Sequence, residues 1–258
     1  MKKKEQVNYL IEYFQKNQPD VQSELHYKNP YQLLVATMLA AQCTDKRVNM
    51  VTPALFEAYP TPVEMAQASV EDILSYVKSV SYPNSKAAHL SAMSKMLVSD
   101  FDGKVPCTLE ELTRLPGVGR KTANVVLAFA FGQAAMPVDT HVFRVAHRLG
   151  LVKDAPTPDA VEKQLVKLFP TEFISRAHHW LLLHGRYICT ARKPHCEECP
   201  IREACTEIMG ERGERVHGTR RKGARCKGKG YRRNGLGVDV LLLFECISIS
   251  GINDASVV

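Results

Sequence analysis

The stretch Leu115-Pro-Gly-Val-Gly-Arg-Lys-Thr-Ala123 lies between two helix-period patterns and leaves the chain few ways to run. Upstream, Thr108 followed by Leu109-Glu-Glu-Leu-Thr-Arg114 predicts a short helix with an N-cap and early acids. Downstream, the apolar run from Thr122 to Phe131 predicts a second helix. Pro116 supports the turn between them. Gly117 and Gly119 are expected to adopt positive φ values, which reverse the chain and turn consecutive backbone N–H groups outward. Those amides then stand at a helix N-terminus, where aligned peptide dipoles make a seat for phosphate. The unit is a helix-hairpin-helix, and nucleic acid is its expected partner. A Gly-rich connector between two core helices is the plainer alternative, against which Lys121 and the later cysteines weigh.

Composition bounds the rest. Of 258 residues, 45% are apolar, enough for a sizeable core in one large or two medium domains. The formal charge of +7 is unevenly spread: residues 1–210 carry 24 basic and 22 acidic groups, and residues 211–258 carry 10 and 5. DNA affinity in the body must therefore come from where charge is placed. No apolar stretch suits a secretory signal or a bilayer span, so a cytoplasmic protein is expected, nucleoid-associated if prokaryotic, with no membrane partner.

Helical periodicity dominates residues 1–210. It is clear at Val7-Leu10-Ile11-Phe14, at Leu33 to Leu39, at Leu90 to Leu97 and in the segment Phe173 to Tyr187, which carries the one tryptophan, Trp180. Asp139 opens a helix that Gly150 stops, and Pro158 opens another through Leu168. An all-α body is predicted. Beyond residue 210, Arg212 to Arg233 reads as a disordered basic arm, followed by a strand-like apolar run from Val238 to Ile249.

Four of the eight cysteines, Cys189, Cys196, Cys199 and Cys205, follow a C-x6-C-x2-C-x5-C spacing. In a reducing compartment such a group means metal more readily than disulfides. The spacing by itself leaves zinc and a cubane iron–sulfur cluster both open. Thr190 to His195, with Arg192 and Lys193, forms a cationic loop that ligation would hold rigid and that suits phosphate. Cys43, Cys107, Cys226 and Cys246 are scattered, and core or surface thiol is the expectation for each.

Taken together, Ala41-Gln-Cys-Thr-Asp45, Leu115 to Val126, Val138-Asp-Thr-His-Val-Phe-Arg-Val145, His184-Gly-Arg-Tyr187 and the four cysteines resemble the endonuclease III family of helix-hairpin-helix DNA glycosylases. The resemblance covers residues 1–210. It implies a six-helix barrel domain over 22–132 and a discontinuous iron–sulfur domain over 1–21 and 133–210; the basic tail over 211–258 has no counterpart in the family's usual ending. It implies a 4Fe-4S cluster on Cys189, Cys196, Cys199 and Cys205, a monomer, and double-stranded DNA with damaged bases or abasic sites as substrate. The implied activity is bifunctional: release of oxidised pyrimidines, then strand cleavage by β-elimination.

By the same resemblance Lys121 is the nucleophile and Asp139 its catalytic partner. Independently, the first turn of a helix disfavours a cation and favours the free amine at Lys121, and capping amides stabilise an Asp139 carboxylate. A phosphate contact at Lys121 and a simple N-cap at Asp139 are the plain alternatives. Gln42 matches the residue that plugs the duplex, Tyr82 the wedge, and Ser81-Tyr82-Pro83-Asn84 stands where the family has a Gly-Leu-Tyr-Asn type loop. Gly117, Gly119, Arg120, His141, Arg192 and Lys193 complete the expected DNA contacts. A monofunctional adenine glycosylase is disfavoured by Lys121, and a non-catalytic iron–sulfur DNA-binding protein by Lys121 and Asp139 together.

Overall fold

The structure, a computed structural model, describes residues 1–19 and 23–207. The basic arm and the apolar run near residue 240 lie outside the described residues. Within them the regular structure is helical, in the order α1 (Lys3–Asn17), α2 (Pro30–Leu39), α3 (Asp45–Ala58), α4 (Pro62–Gln67), α5 (Val70–Val77), α6 (Pro83–Asp100), α7 (Leu109–Arg114), α8 (Arg120–Ala130), α9 (Thr140–Arg148), α10 (Pro158–Leu168) and α11 (Ile174–Tyr187). Short 3-10 turns precede α11 and close the segment at Arg202–Ala204.

Most starts are written locally. Asn29, Thr44, Thr61, Ser69, Thr108, Asp139 and Thr157 each accept a first-turn amide with the side chain, satisfying a donor that the helix leaves open. Proline at the first position of α2, α4, α6 and α10 adds a preset φ.

Two apolar cores form. The first gathers residues between Leu25 and Ala135 around α2, in which every residue from Tyr31 to Leu39 is buried. A helix apolar on all sides belongs in the middle, and α8, α3 and α6 pack around it. The second core joins Val7, Leu10, Ile11 and Phe14 of α1 to residues between Met136 and Ala204. The chain's first helix thus packs with its later ones: Gln6 Nε2 donates to the Leu149 and Ala204 carbonyls at 2.6 Å each, and Trp180 stacks on Phe14 with centroids 5.5 Å apart. Passage from one core to the other falls at residues 135–136, in the extended stretch that ends at Asp139.

Gly185 lets α11 approach α9 closely. A Cβ there would stand 2.9 Å from both His141 Cβ and Val145 Cγ2, so a larger residue would push the two helices apart. Among the described residues no helix is long and apolar enough to cross a membrane.

Candidate active site

The hairpin forms between α7 and α8, with one change from expectation. Gly117 is left-handed at φ +77, and a Cβ on it would meet His89 Cβ at 2.8 Å. Gly119 has φ −88 and ψ 170 and serves as N-cap of α8, because the chain has already reversed at Gly117 and need only extend into the helix. Its value lies in what it lacks. The first amides of α8 have no capping side chain, and a Cβ built on Gly119 would meet nothing within 4 Å.

Lys121 occupies the second position of α8, and Asp139 is the N-cap of α9. Both line one cavity of about 90 Å³, with Glu24, Asp45, Arg186 and His178 among the other walls. The His141 and Val142 amides donate to Asp139 Oδ1 at 2.9 and 2.8 Å, so both caps converge on one oxygen and fix the carboxylate at the cavity wall. Arg186 spans two of the walls, binding Glu24 and, at 3.3 Å, Asp45 Oδ2, while Tyr187 Oη reaches Glu24 at 3.1 Å. Carboxylates facing Arg186 hold its guanidinium above the ordinary range even though burial opposes this.

His178 is wholly buried. Burial, then His179, then the Lys121 cation hold its imidazole well below the usual histidine range, against a backbone hydrogen bond at Pro137. Residue chemistry alone gives no role to His178, Glu24, Asp45 or Arg186, although Asp45 and Arg186 lie in motifs that carry the resemblance. The signal was present in the motif but not in the chemistry of either residue alone.

The expected DNA contacts fall in different places. Gln42 and Tyr82 are exposed, left-handed at φ 53 and 54, and held beside each other through Ser81. His141 is half-buried beside Gly185, its Nδ1 3.3 Å from Arg144. Arg192 and Lys193 are exposed on the loop after Cys189. Arg120 turns the other way: Nε and Nη2 grip Glu162 at 2.9 and 2.7 Å, tying α8 to α10. That bidentate pair, partly shielded by Glu162, occupies the fork a phosphate would need.

Cys189, Cys196, Cys199 and Cys205 line a second cavity, of about 350 Å³, with His184 and Arg148. One zinc ion would draw four sulfurs to within about 2.3 Å of a single point. Here the four thiols line a cavity with room for a larger body. Burial first, with neighbouring thiols adding to it, pushes the Cys196 and Cys199 thiols up. The donor set fits a polynuclear iron–sulfur core. Arg148 braces it, with Nη1 3.4 Å from Cys189 Sγ and donating at 2.8 Å to the Thr190 carbonyl, and Nη2 reaching Ala191 O at 3.2 Å.

Comparison with known proteins agrees with this geometry. A family model described as HhH-GPD superfamily base excision DNA repair protein matches residues 35–171, and one described as the iron–sulfur binding domain of endonuclease III matches residues 189–205, the first and last of the four cysteines. Endonuclease III of Rickettsia conorii is 51% identical over 199 residues, 77% of this chain and 94% of the relative. That of Escherichia coli strain K12 is 42% identical over 196 residues, 76% of this chain and 92% of the relative. A solved structure of a trapped endonuclease III–DNA covalent intermediate superposes with a TM-score of 0.76 at 42% identity, covering 82% of this chain and 100% of that one. The cofactor of this chain is a 4Fe-4S cluster. With hairpin, cavity and cysteine segment in one order along the sequence, this chain belongs to the endonuclease III family of HhH-GPD base excision DNA repair proteins.

Proposed function

We propose that the chain is a base-excision DNA glycosylase with abasic-site lyase activity, in which Lys121 attacks the sugar of an extruded damaged pyrimidine. The observation that carries this reading is the shared cavity of Lys121 and Asp139. A base within the duplex hides its anomeric carbon, so the nucleotide must rotate out. Phosphates on either side are gripped by the uncapped amides behind Gly117 and Gly119, with Arg192 and Lys193 adding charge, while Gln42 fills the gap and Tyr82 stacks on the orphaned base.

The neutral Lys121 Nζ then bonds to C1′. The glycosidic C–N bond breaks, its electrons leave with the base, and the base takes up a proton. The Asp139 carboxylate, fixed by two amides, stabilises the positive charge that gathers on the sugar as this happens. Nitrogen loses a proton, the sugar ring opens, and an imine links Lys121 to C1′. The imine acidifies the C2′ proton, so its removal expels the 3′ phosphate by β-elimination, and water releases the enzyme. Oxidised or ring-saturated pyrimidines are the proposed substrates.

In this reading Cys189, Cys196, Cys199 and Cys205 hold the cluster. Bound, it supplies a rigid cross-link to the loop that presents Arg192 and Lys193. The first core corresponds to a barrel domain over 22–132, and the second to the cluster domain over 1–21 and 133–210. The protein acts as a monomer in the cytoplasm.

The test is borohydride trapping on duplexes with single defined lesions, scoring base release apart from strand scission. Wild type should give a covalent adduct and Lys121→Ala none. An adduct formed at full yield by Lys121→Ala would remove the lysine assignment.

A further inference from the structure

The buried His178 is not used by the mechanism above, yet it lines the same cavity as both reacting groups. Its side chain is 2% exposed and lines the cavity that contains Lys121 and Asp139. One ring nitrogen is hydrogen-bonded to the backbone at Pro137, two residues ahead of Asp139. The other, Nδ1, is buried with no hydrogen-bond partner among the described residues. A ring that donates to a carbonyl carries its proton on the bonded nitrogen, so neutral His178 offers a bare Nδ1 lone pair. An acceptor buried without a donor is costly to folding and calls for a reason.

Lys121 is close enough for its charge to act on that ring. Arg186, the other cation lining the cavity, is held by Glu24 and Asp45 and does not compete as a donor. We propose that His178 is a positioning residue, whose Nδ1 accepts an N–H from the free amine of Lys121 and so turns the amine lone pair toward C1′. The inference rests on Lys121 being the nucleophile.

The chemistry favours a neutral acceptor here. A free amine has two N–H bonds and one lone pair, so fixing an N–H direction fixes the direction of attack. A carboxylate in this place would hold the lysine as an ammonium ion, which has no lone pair to offer. A second cation would repel the ammonium ion and supply no acceptor. An imidazole kept neutral by its surroundings orients the amine without charging it, and its Pro137 bond steadies the extended segment leading into Asp139.

The experiment compares full-length wild type, His178→Leu, His178→Asn and Lys121→Ala on a duplex with one lesion, measuring single-turnover base release, adduct yield and duplex Kd. Asparagine keeps an acceptor near the Nδ1 position, whereas leucine removes it. Leucine should slow base release roughly 10- to 100-fold with Kd unchanged, and asparagine should recover most of that loss. A leucine variant as fast as wild type, an asparagine variant as slow as leucine, or a loss seen wholly in Kd overturns the proposal. Should the leucine variant fail to fold, 15N spectra of the histidine rings in wild type and Lys121→Met decide. An unprotonated Nδ1 of His178 that shifts on loss of the lysine supports the contact, and a protonated or unmoved one refutes it. Trapping by Lys121→Ala would sink the nucleophile reading itself; a fast His178→Leu beside an inert Lys121→Ala sinks only this inference.

Discussion

The Ser81 hydroxyl donates to the Gln42 carbonyl at 2.8 Å, so one hydrogen bond couples the loop that carries the proposed plug to the loop that carries the proposed wedge. Gln42 and Tyr82 are both left-handed, a conformation that side chains resist and that persists only where neighbours impose it. Lys86 supplies further restraint. Its Nζ donates to the Leu39 and Ala41 carbonyls at 2.7 Å each, placing a cation on the open carbonyls at the end of α2.

Ser81→Ala should therefore cost no more than about 1 kcal/mol of stability, yet weaken binding to an abasic-site duplex severalfold. Tyr82→Gly relieves the left-handed strain, worth about 1–2 kcal/mol, while removing a stacking surface worth about 1–3 kcal/mol. Its melting temperature should hold or rise as affinity falls. Fluorescence anisotropy alongside thermal melting checks both, and unchanged affinity in Tyr82→Gly would remove the wedge.

Asp139 has two duties that substitution separates. Asparagine retains the cap and loses the charge, so Asp139→Asn should melt close to wild type while single-turnover base release falls about 100-fold or more. Asp139→Ala loses both and should also cost about 1 kcal/mol of stability. Equal rates for Asp139→Asn and wild type would leave the residue a cap only.

The two hairpin glycines should respond differently. Gly117→Ala meets a left-handed φ and the His89 side chain, and should destabilise by at least about 1–2 kcal/mol. Gly119→Ala meets neither, and should fold normally with a modest loss of DNA affinity as a methyl group crowds the open amides. Chemical denaturation of the two variants side by side is the measurement.

His178 should mark the acid limb of the stability curve. Its native proton affinity is far below the unfolded value near 6.5, so below that pH the unfolded chain binds a proton that the native ring refuses. Unfolding free energy should fall as pH drops from about 6.5, by up to about 1.4 kcal/mol per pH unit from this residue, and be indifferent to it above. His178→Gln should flatten that slope in urea titrations taken between pH 7 and pH 5.

Arg148→Ala should loosen the loop after Cys189, because three contacts to that loop converge on one guanidinium. Iron content per protein should drop, with Arg148→Lys recovering little, since an ammonium group lacks the planar fork. Iron assay and visible absorbance provide the check, and full iron occupancy in Arg148→Ala would show the brace to be dispensable.

What the linear sequence determined is local. Thr108, Asp139 and Thr157 announce helix starts because a cap acts within three residues, and the hairpin and cysteine spacing are legible because their geometry closes over a few peptide units. For the same reason Gly117 reverses the chain unaided, whereas the conformation of Gly119 depends on where α8 begins. Tertiary structure decided the rest. That Lys121 and Asp139 share a cavity, that Arg120 is taken by Glu162, and that Arg186 meets Asp45 across 141 residues are products of how two cores pack. His178 is the clearest case: a histidine in an apolar helix has no fixed chemistry, and only burial near a lysine and a hydrogen bond to the Pro137 backbone leave one nitrogen bare.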